Sequence, residues 1–399
     1  MSLNNTPSGE RLHIAFFGRR NAGKSSLVNA VTGQELAVVS DVKGTTTDPV
    51  KKAMELLPMG PVVIIDTPGY DDEGDLGELR VKKTKQILAE TDIAVLVVDG
   101  CEGIADDDRK IIAVFEEKKI PFITVYTKND LGCAPAIQNE REISVSAKNG
   151  AGIHELKEKI AKIGAKAQNT KVIVADLVEA GDIVVLVIPI DEAAPKGRII
   201  LPQQMVLREL LDCRCTAVCC QDTDLASTLA SFAKKPKLVI TDSQAFGRVS
   251  KIVPEDIMLT SFSILMARYK GDLETLVKGA AMLGKLKDGD KVLISEGCTH
   301  HRQCGDIGSV KLPAWIKKFC GAEPEFSFTS GGEFTENPED YKVIVHCGGC
   351  MLNEAVMKSR IDTAVNAEVP IVNYGVAIAH IHGILKQSLA PFPDVAAML

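Results

Sequence analysis

Two short segments near the C-terminal end contain the residue types that bind soft metal ions. The first segment holds Cys298 and His300, and the second holds His346, Cys347 and Cys350. Three thiolates suit an iron–sulfur cluster whose fourth position is open or weakly held, and either histidine can fill that position. A Cys₃His set also matches a structural zinc site, and unliganded thiols are a third interpretation. The spacing favours the cluster, because one side of the set is C-x-H where zinc knuckles usually have a second C-x-x-C pair.

A glycine-rich loop near the N-terminus has the pattern that wraps phosphate groups. Residues 18–25 read GRRNAGKS, which matches G-x-x-x-x-G-K-S between a predicted strand and a predicted helix. Backbone N–H groups of such a loop surround the phosphates, and the helix N-terminus adds a positive dipole. Lys24 is expected to reach the β- and γ-phosphates, and Ser25 is expected to bind Mg²⁺. The other predicted nucleotide contacts in this loop are Gly18, Asn21, Ala22, Gly23 and Ser26.

Two further motifs are expected to complete the Mg²⁺ and γ-phosphate side of the site. Residues 66–69 read DTPG after an apolar strand; Asp66 can hold Mg²⁺ through water, and the Gly69 N–H can contact the γ-phosphate. Residues 44–47 read GTTT, where a switch loop should supply a threonine to Mg²⁺, and Thr46 is the predicted ligand. The predicted catalytic residues are Lys24, Asn21, Thr46 and Gly69.

Two motifs that follow later strands are expected to recognise guanine. Residues 127–130 read TKND, and the Asp130 carboxylate can accept hydrogen bonds from the guanine N1–H and N2–H. Lys128 belongs to the same motif, and Ser146, Ala147 and Lys148 can contact the base. Each motif alone is also compatible with a tight turn or a helix cap. The five motifs in this order predict a GTPase domain that binds GTP or GDP with Mg²⁺.

These motifs resemble the translation-factor-like GTPases of the Era, EngA and TrmE type. The resemblance implies slow intrinsic turnover, because Tyr70 follows Gly69 and no glutamine stands there to position the attacking water. It also implies K⁺ activation, because relatives activated by potassium carry an asparagine at the position of Asn21. Asn21 is alternatively only a loop former. Thr127 replaces the asparagine usual in this family, which predicts a less well braced loop and weaker guanine selectivity.

The order of predicted elements divides the chain into three α/β domains. Apolar strands alternate with helical segments over residues 12–164, which predicts a doubly wound, mostly parallel sheet. The small, polar stretch at residues 165–170 is expected to be a linker. A βαβαβ unit follows, and a third α/β unit begins near residue 265. The predicted domains are a P-loop GTPase domain at residues 1–168, a middle α/β domain at 169–263 and a C-terminal α/β domain at 264–399.

Composition limits the partners and the compartment. The chain has 399 residues and a formal net charge of −7, so no basic surface is available for nucleic acid. Its longest apolar runs are far shorter than the roughly 20 residues that span a bilayer, and the N-terminal segment does not match a signal peptide. We therefore expect a cytoplasmic protein with no membrane contact. Its 11 cysteines are expected to be thiols or metal ligands rather than disulfides.

A GTPase domain, a middle α/β domain and the C-x-H…H-C-x-x-C set together resemble HydF, the family of FeFe-hydrogenase maturation GTPases. The resemblance covers essentially the whole chain. It implies a middle domain that mediates homodimerisation, with a higher oligomer also open. It further implies that the C-terminal domain binds a 4Fe–4S cluster through Cys298, Cys347 and Cys350, with a histidine or an exchangeable group as fourth ligand.

By the same resemblance, the protein is a scaffold and carrier. Its cargo is the precursor of the di-iron subcluster, which is made with two radical-SAM maturases and delivered to apo FeFe-hydrogenase. One alternative is a GTP-regulated ribosome or RNA factor with a structural zinc site, and the acidic charge argues against it. A second alternative is a metal-binding adaptor with a vestigial GTPase loop, against which the intact Lys24, Ser25 and Asp66 argue.

Overall fold

A computed structural model describes most of the chain, in nine ranges. These are residue 6, residues 8–34, 49–69, residue 84, residues 86–132, 135–168, 172–190, 199–297 and 306–399. The predicted ligands Thr46, Cys298 and His300 lie outside these ranges. The chain separates into two compact units, Met1–Thr170 and Lys171–Leu399. Within the described ranges, no helix is both long enough and apolar enough to cross a membrane.

The first unit contains a six-stranded sheet with the order β2-β3-β1-β4-β5-β6. The strands are β1 (Leu12–Phe17), β2 (Val50–Leu56), β3 (Gly60–Asp66), β4 (Ile93–Asp99), β5 (Phe122–Thr127) and β6 (Glu142–Ser144). β2 is antiparallel to β3, and all other pairs are parallel. The mostly parallel sheet was predicted, whereas β2 was not, because this edge strand is largely exposed and has no apolar run. The helices are Lys24–Thr32, Asp106–Glu117 and Ile153–Gln168.

Helices cover both faces of this sheet, as a doubly wound fold requires. Successive residues of a strand point to opposite faces. Phe16 therefore belongs to the core with Leu27 on one face, whereas Phe17 packs on Phe115 on the other, with ring centroids 5.3 Å apart. Since both faces are filled, the loops at the carboxyl ends of the strands are left to form a site.

The second unit contains two four-stranded sheets, both parallel throughout. Their orders are β10-β9-β7-β8 and β12-β11-β13-β14. The strands of the first sheet are β7 (Ile183–Val187), β8 (Thr216–Cys220), β9 (Leu238–Thr241) and β10 (Met258–Ser261). Those of the second are β11 (Lys291–Ser295), β12 (Glu325–Thr329), β13 (Val343–His346) and β14 (Ile371–Asn373). The strands β10 and β12 were not predicted; β12 is an edge strand with much of its sequence exposed.

Helices connect these strands and link the two sheets. The α-helices are Leu201–Asp212, Leu225–Ala230, Phe246–Val249, Phe262–Lys270, Leu273–Ala280, Leu312–Cys320, Glu354–Asn366, Tyr374–Ile381, Leu385–Ser388 and Pro393–Ala396, and Ile307–Lys311 forms a π-helical turn. The two sheets share one continuous apolar core. The hydroxyl of Thr260, at the end of the first sheet, donates to the carbonyl of Ser388 at 2.8 Å.

One predicted domain boundary falls at the end of a helix, and the other falls inside a helix. The expected linker at residues 165–170 overlaps the last turn of Ile153–Gln168. The expected boundary between residues 263 and 264 lies near the start of Phe262–Lys270, which packs in the shared core. A boundary in a continuous helix leaves no sequence signal such as a Gly- or Pro-rich linker. We keep the three-domain boundaries as a proposal.

The helix Leu273–Ala280 packs so closely on the sheet β12-β11-β13-β14 that one of its positions requires a glycine. A Cβ on Gly279, in Leu273–Ala280, would lie 2.0 Å from the carbonyl oxygen of Ile371 in β14. The strand next to β14 is β13, which ends at His346. The backbone of this helix thus rests directly on the sheet that carries the candidate ligands.

Gly279→Ala is expected to lower the free energy of unfolding by about 1–3 kcal/mol, the usual cost of overpacking a core. The measurement is urea unfolding followed by circular dichroism. Gly247→Ala is the matched control, because this helical glycine has no atom within 4 Å of an added Cβ. It should change stability by no more than about 0.5 kcal/mol. Equal stability of the two variants would contradict the close contact.

Candidate functional site

The phosphate loop joins β1 to the helix Lys24–Thr32, as the sequence predicted. Two glycines make its path possible. A Cβ on Gly18 would lie 2.3 Å from the carbonyl oxygen of Val97 in β4, so no other residue fits at the start of the loop. Gly23 has a left-handed φ of 88° immediately before the helix. That conformation is one that glycine adopts without steric cost.

Lys24 is buried beside the loop that it follows. Its ammonium donates to the carbonyl oxygens of Gly18 at 2.7 Å and Arg19 at 2.6 Å. These bonds turn two loop carbonyls towards the lysine. Ala22 is buried, whereas Asn21 is exposed and has a left-handed φ of 59°. The Asn21 amide is therefore on the solvent side of the loop.

Ser25 and Asp66, two of the residues predicted to hold Mg²⁺, lie together at the ends of the phosphate loop and of β3. The Ser25 hydroxyl donates to Asp66 Oδ2 at 2.8 Å. Asp66 Oδ1 is buried and has no hydrogen-bond partner among the described residues. Burial raises the pKa of Asp66, against the opposing effects of the Ser25 hydrogen bond and the Lys24 charge. An unpaired buried carboxylate oxygen beside a serine hydroxyl fits a Mg²⁺ ion, which takes oxygen ligands.

The segment after Asp66 is tied back to β1. The Thr67 hydroxyl donates to the carbonyl oxygen of Phe16 at 2.7 Å. This bond fixes where the chain leaves the sheet on the way to Gly69, the last residue described in this segment. Thr46 lies outside the described residues, so its predicted contact with Mg²⁺ stays a prediction.

The residues predicted to bind guanine lie at the ends of β5 and β6. Asp130 Oδ1 accepts a hydrogen bond from the Ser146 hydroxyl at 2.7 Å, and that bond is the main reason why the pKa of Asp130 is lowered. The Ser146 oxygen in turn accepts from the Lys148 amide at 3.2 Å, which closes the turn around Ala147. The Lys128 ammonium is paired with Asp99. The arrangement presents an ionised, exposed Asp130 carboxylate.

Thr127 braces the phosphate loop. Its hydroxyl lies 2.7 Å from the Ala22 carbonyl oxygen and 3.2 Å from that of Val98. The shorter contact joins the end of β5 to the phosphate loop. The predicted effect of replacing asparagine by Thr127 on guanine selectivity stays a prediction.

Arg19 is a structural contact that the motif pattern did not reveal. Its guanidinium pairs with Asp108 at 3.3 Å and with Glu102 at 3.1 Å. Asp108 is fully buried and also accepts from the Ala105 amide at 2.8 Å, which caps the helix Asp106–Glu117. Asp108 is thus a buried member of the acidic run at residues 106–108. Arg19 stands at a variable position of the motif, so the sequence pattern did not predict these contacts.

The candidate cluster site begins where β11 and β13 end. The two strands are parallel neighbours with Ser295 opposite His346, as expected for segments that meet at one edge of a sheet. The Cys347 amide donates to the Ser295 carbonyl at 2.9 Å. The Cys347 sulfur accepts from the Gly297 amide at 2.9 Å and more weakly from the Gly349 amide at 3.4 Å. Amide donors of this kind stabilise an anionic sulfur.

Two glycines beside Cys347 are required by space and by backbone conformation. A Cβ on Gly297 would lie 2.7 Å from the side chain of Leu352, and Gly349 has a left-handed φ of 63°. The following helix starts at Glu354, where the Asn353 side chain caps it by accepting from the Val356 amide. The sulfur therefore receives its bonds from the glycine amides.

His346 is engaged through both ring nitrogens. Its Nδ1 lies 2.7 Å from the Cys347 carbonyl oxygen, and its Nε2 lies 2.8 Å from Nη1 of Arg360. A carbonyl oxygen only accepts, so Nδ1 donates and Nε2 accepts from the guanidinium. Burial, and secondly the Arg360 charge, lower the pKa of His346 to about 3. In this arrangement neither nitrogen is available to a metal, which argues against His346 as the fourth ligand.

The third predicted thiolate, Cys298, lies outside the described residues, as does His300. Among the residues that are described, no group of three His, Cys, Asp or Glu side chains forms a metal site. Cys347 and Cys350 are both free thiols, as are Cys213, Cys215, Cys219, Cys220 and Cys320. Cys101 is disulfide-bonded, so the expectation of thiols throughout was wrong there.

Lys270 is a buried cation that the sequence did not mark. It ends the helix Phe262–Lys270, and its ammonium donates to the carbonyl of Leu352 at 3.0 Å and approaches that of Gly349 at 3.5 Å. These contacts hold the loop that carries Cys347 and Cys350. A single lysine at a helix end has no spacing signal, so only the folded structure reveals this contact.

Comparison with known proteins defines the class first. Residues 13–128 match the family model of the 50S ribosome-binding GTPase. The tRNA modification GTPase MnmE of Aquifex aeolicus (strain VF5) is 36% identical over 166 residues, which is 40% of this chain and 36% of that protein. GTPase Der of Wolinella succinogenes is 36% identical over 168 residues, 38% of this chain and 36% of that protein. The chain thus spans about a third of these relatives, and its N-terminal domain is a GTPase domain.

The rest of the chain defines the family. Residues 173–271 match the hydrogen maturase F dimerization domain, and residues 274–391 match the hydrogen maturase F tetramerization domain. The chain belongs to the hydrogen maturase F (HydF) family. The names of these two domains support a homodimer or a higher oligomer. A crystal structure of Aquifex aeolicus Era bound to GDP and AlF₄⁻ is also similar, at 18% identity and a TM-score of 0.34 over 80% of this chain and 92% of that one.

The bond between Ser146 and Asp130 should set the pH dependence of guanine binding. Asp130 accepts from guanine as a carboxylate, so affinity is present above its pKa and is lost as pH falls through it. Ser146→Ala removes the bond that lowers this pKa, so the loss should begin at a higher pH. At neutral pH, affinity should fall about fivefold, the equivalent of about 1 kcal/mol for one hydrogen bond.

The measurement is a titration with a fluorescent GDP analogue over an acidic pH series. Ser144→Ala is the matched control, because the Ser144 hydroxyl is buried without a partner in the described part of the chain. Identical pH profiles for Ser146→Ala and the unaltered protein would contradict the role assigned to this bond.

Proposed function

We propose that this protein is a GTP-hydrolysing scaffold and carrier for FeFe-hydrogenase maturation. It binds a 4Fe–4S cluster and assembles and delivers the precursor of the di-iron subcluster to apo FeFe-hydrogenase. Its other partners are the two radical-SAM maturases, it acts in the cytoplasm, and it works as a homodimer or a higher oligomer. The observation that carries the proposal is the Cys347 sulfur held by two glycine amides in a chain of the hydrogen maturase F family.

In the proposed nucleotide site, each group has one task. The glycine loop and Lys24 hold the phosphates, while Ser25, Asp66 and Thr46 hold Mg²⁺, the cation that neutralises developing phosphate charge. The Gly69 N–H senses the γ-phosphate, and Asp130 selects the guanine base. Among the described residues, the buried Asp66 Oδ1 next to Ser25 has no hydrogen-bond partner, which supports this assignment of Mg²⁺.

In the proposed cluster site, three thiolates come from two neighbouring strand ends. Cys347 and Cys350 follow β13, and Cys298 follows β11. The donor chemistry fits, because the amides that reach the Cys347 sulfur favour a thiolate over a thiol. The fourth position is proposed for His300 or an exchangeable group, since His346 is fully engaged. A replaceable fourth ligand would give the cargo a place to dock.

The alternative of a ribosome-associated factor with structural zinc is not better supported. The family model named for ribosome binding covers only residues 13–128. The segment with the cysteines lies instead within the match to hydrogen maturase F.

Anaerobic reconstitution with iron and sulfide tests the cluster directly. We expect the full chain to bind a 4Fe–4S cluster with broad visible absorption and, after reduction, an EPR signal. The Cys347→Ser variant should lose most of the bound iron. The Cys320→Ser variant should retain it, because Cys320 is a free cysteine at the end of the helix Leu312–Cys320 and is not a proposed ligand. Stoichiometric zinc without cluster absorption, or equal iron in both variants, would contradict the proposal.

Potassium should accelerate GTP hydrolysis through Asn21. We expect kcat in K⁺ to exceed kcat in Na⁺ by about tenfold or more, because a cation in the place of an arginine finger offsets transition-state charge, which is worth roughly 10³-fold or more. Asn21→Gly keeps the left-handed backbone but removes the amide, so it should abolish the difference between the two ions.

The control for Asn21→Gly is its circular dichroism spectrum, which should match that of the unaltered protein. If Asn21→Gly remains stimulated by K⁺, Asn21 is only a loop former and the ion is bound elsewhere. Equal rates of the unaltered protein in Na⁺ and K⁺ would remove potassium from the proposed cofactors.

A further inference from the structure

A guanidinium lies buried under the candidate cluster site. Arg360 is 3% exposed. Its Nη1 donates to His346 Nε2 at 2.8 Å and to Ser295 Oγ at 3.2 Å, and its Nη2 donates to the Gly331 carbonyl at 2.7 Å. The guanidinium carbon also lies 5.2 Å from the centroid of the Phe334 ring. None of these partners is a carboxylate.

A buried cation without an acidic partner is costly. The effective penalty for burying one ion is several kcal/mol, and hydrogen bonds to neutral groups offset only part of it. Burial lowers the pKa of Arg360 to about 10, and the electrostatic effect of Cys347 opposes this shift. Cys347 is therefore the described residue at which an anionic group would compensate this cation.

A chain of two hydrogen bonds links the guanidinium to the same cysteine. Arg360 donates to His346 Nε2, and His346 Nδ1 donates to the Cys347 carbonyl at 2.7 Å. The link fixes the histidine tautomer and the orientation of the Cys347 peptide. Arg360 thus acts on Cys347 in two ways, through its charge and through the position of the backbone.

We propose that Arg360 is the internal counter-cation of the cluster, a positioning residue that also raises the reduction potential of the cluster. The inference rests on the proposed function, since it requires a cluster on Cys347. A 4Fe–4S cluster on three thiolates is an anion, and reduction adds one more negative charge. A fixed positive charge in a buried, low-dielectric site stabilises the reduced form more than the oxidised form.

The test compares variants of the full chain after anaerobic reconstitution, with the midpoint potential measured by EPR-monitored redox titration. Arg360→Gln and Arg360→Met remove the charge, and we expect the equilibrium constant for one-electron reduction to fall about tenfold. At 59 mV per tenfold change, this is a shift of about 60 mV to lower potential. Arg360→Lys keeps the charge and should shift the potential by less than half as much.

Lys358→Gln is the matched control, because it removes an exposed positive charge from the same helix, Glu354–Asn366. It should leave the potential unchanged, since solvent and salt screen an exposed charge. The midpoint is read from the clusters that are bound, so a lower occupancy in one variant does not alter the comparison. Two variants that remove the charge are used in case one of them folds poorly.

A failure of the proposed function can be distinguished from a failure of the inference about Arg360. If the unaltered chain binds no 4Fe–4S cluster, the proposed function fails and this inference fails with it. If the cluster binds and both charge-removing variants keep the original potential, only the inference is overturned. It is equally overturned if Arg360→Lys shifts the potential as far as Arg360→Gln, because the effect would then come from hydrogen-bond geometry and not from charge.

Discussion

The parallel pairing of β11 with β13 is the constraint on which the candidate cluster site depends. It places Ser295 opposite His346, and the bond from the Cys347 amide to the Ser295 carbonyl extends the ladder one residue beyond the strand. That bond sets the point at which each segment leaves the sheet, and it brings the Gly297 amide within reach of the Cys347 sulfur. The sheet therefore orients a proposed ligand through protein contacts alone.

In the GTPase domain, adjacent parallel strands likewise bring the loops of the nucleotide site together. β1 lies between β3 and β4, so the phosphate loop after β1 and Asp66 at the end of β3 are neighbours. The Thr127 hydroxyl at the end of β5 reaches the same loop at Ala22. In both domains, polar groups follow the carboxyl ends of adjacent parallel strands, where open α/β sheets bind their ligands. Motif order along the chain predicts such a site because strand order in the sheet brings the motifs together.

The sequence predicted the buried strands and the motifs whose residues have a fixed spacing. β4 and the centre of β11 are apolar and buried, as expected for strands inside an α/β sheet. β2 and β12 were missed, because exposed edge strands need no apolar run. The roles of Lys270 and Arg360 were also missed. Each is one basic residue on a helix, and only helix packing against the sheet brings it to the cysteine loop. The contacts of Cys298 and Thr46 stay predictions.

Buried cations explain how loops in both domains present amides to an anion. Lys24 bonds to the carbonyls of Gly18 and Arg19, and Lys270 bonds to the carbonyl of Leu352 and approaches that of Gly349. A carbonyl that turns towards a cation on one side of a tight loop leaves the neighbouring N–H groups facing the other side. Gly349 shows both orientations, because its carbonyl faces Lys270 while its amide donates to the Cys347 sulfur. Through these bonds each buried lysine orients its loop. In the proposed sites, the buried lysine and the amide donors would act on the bound anion together.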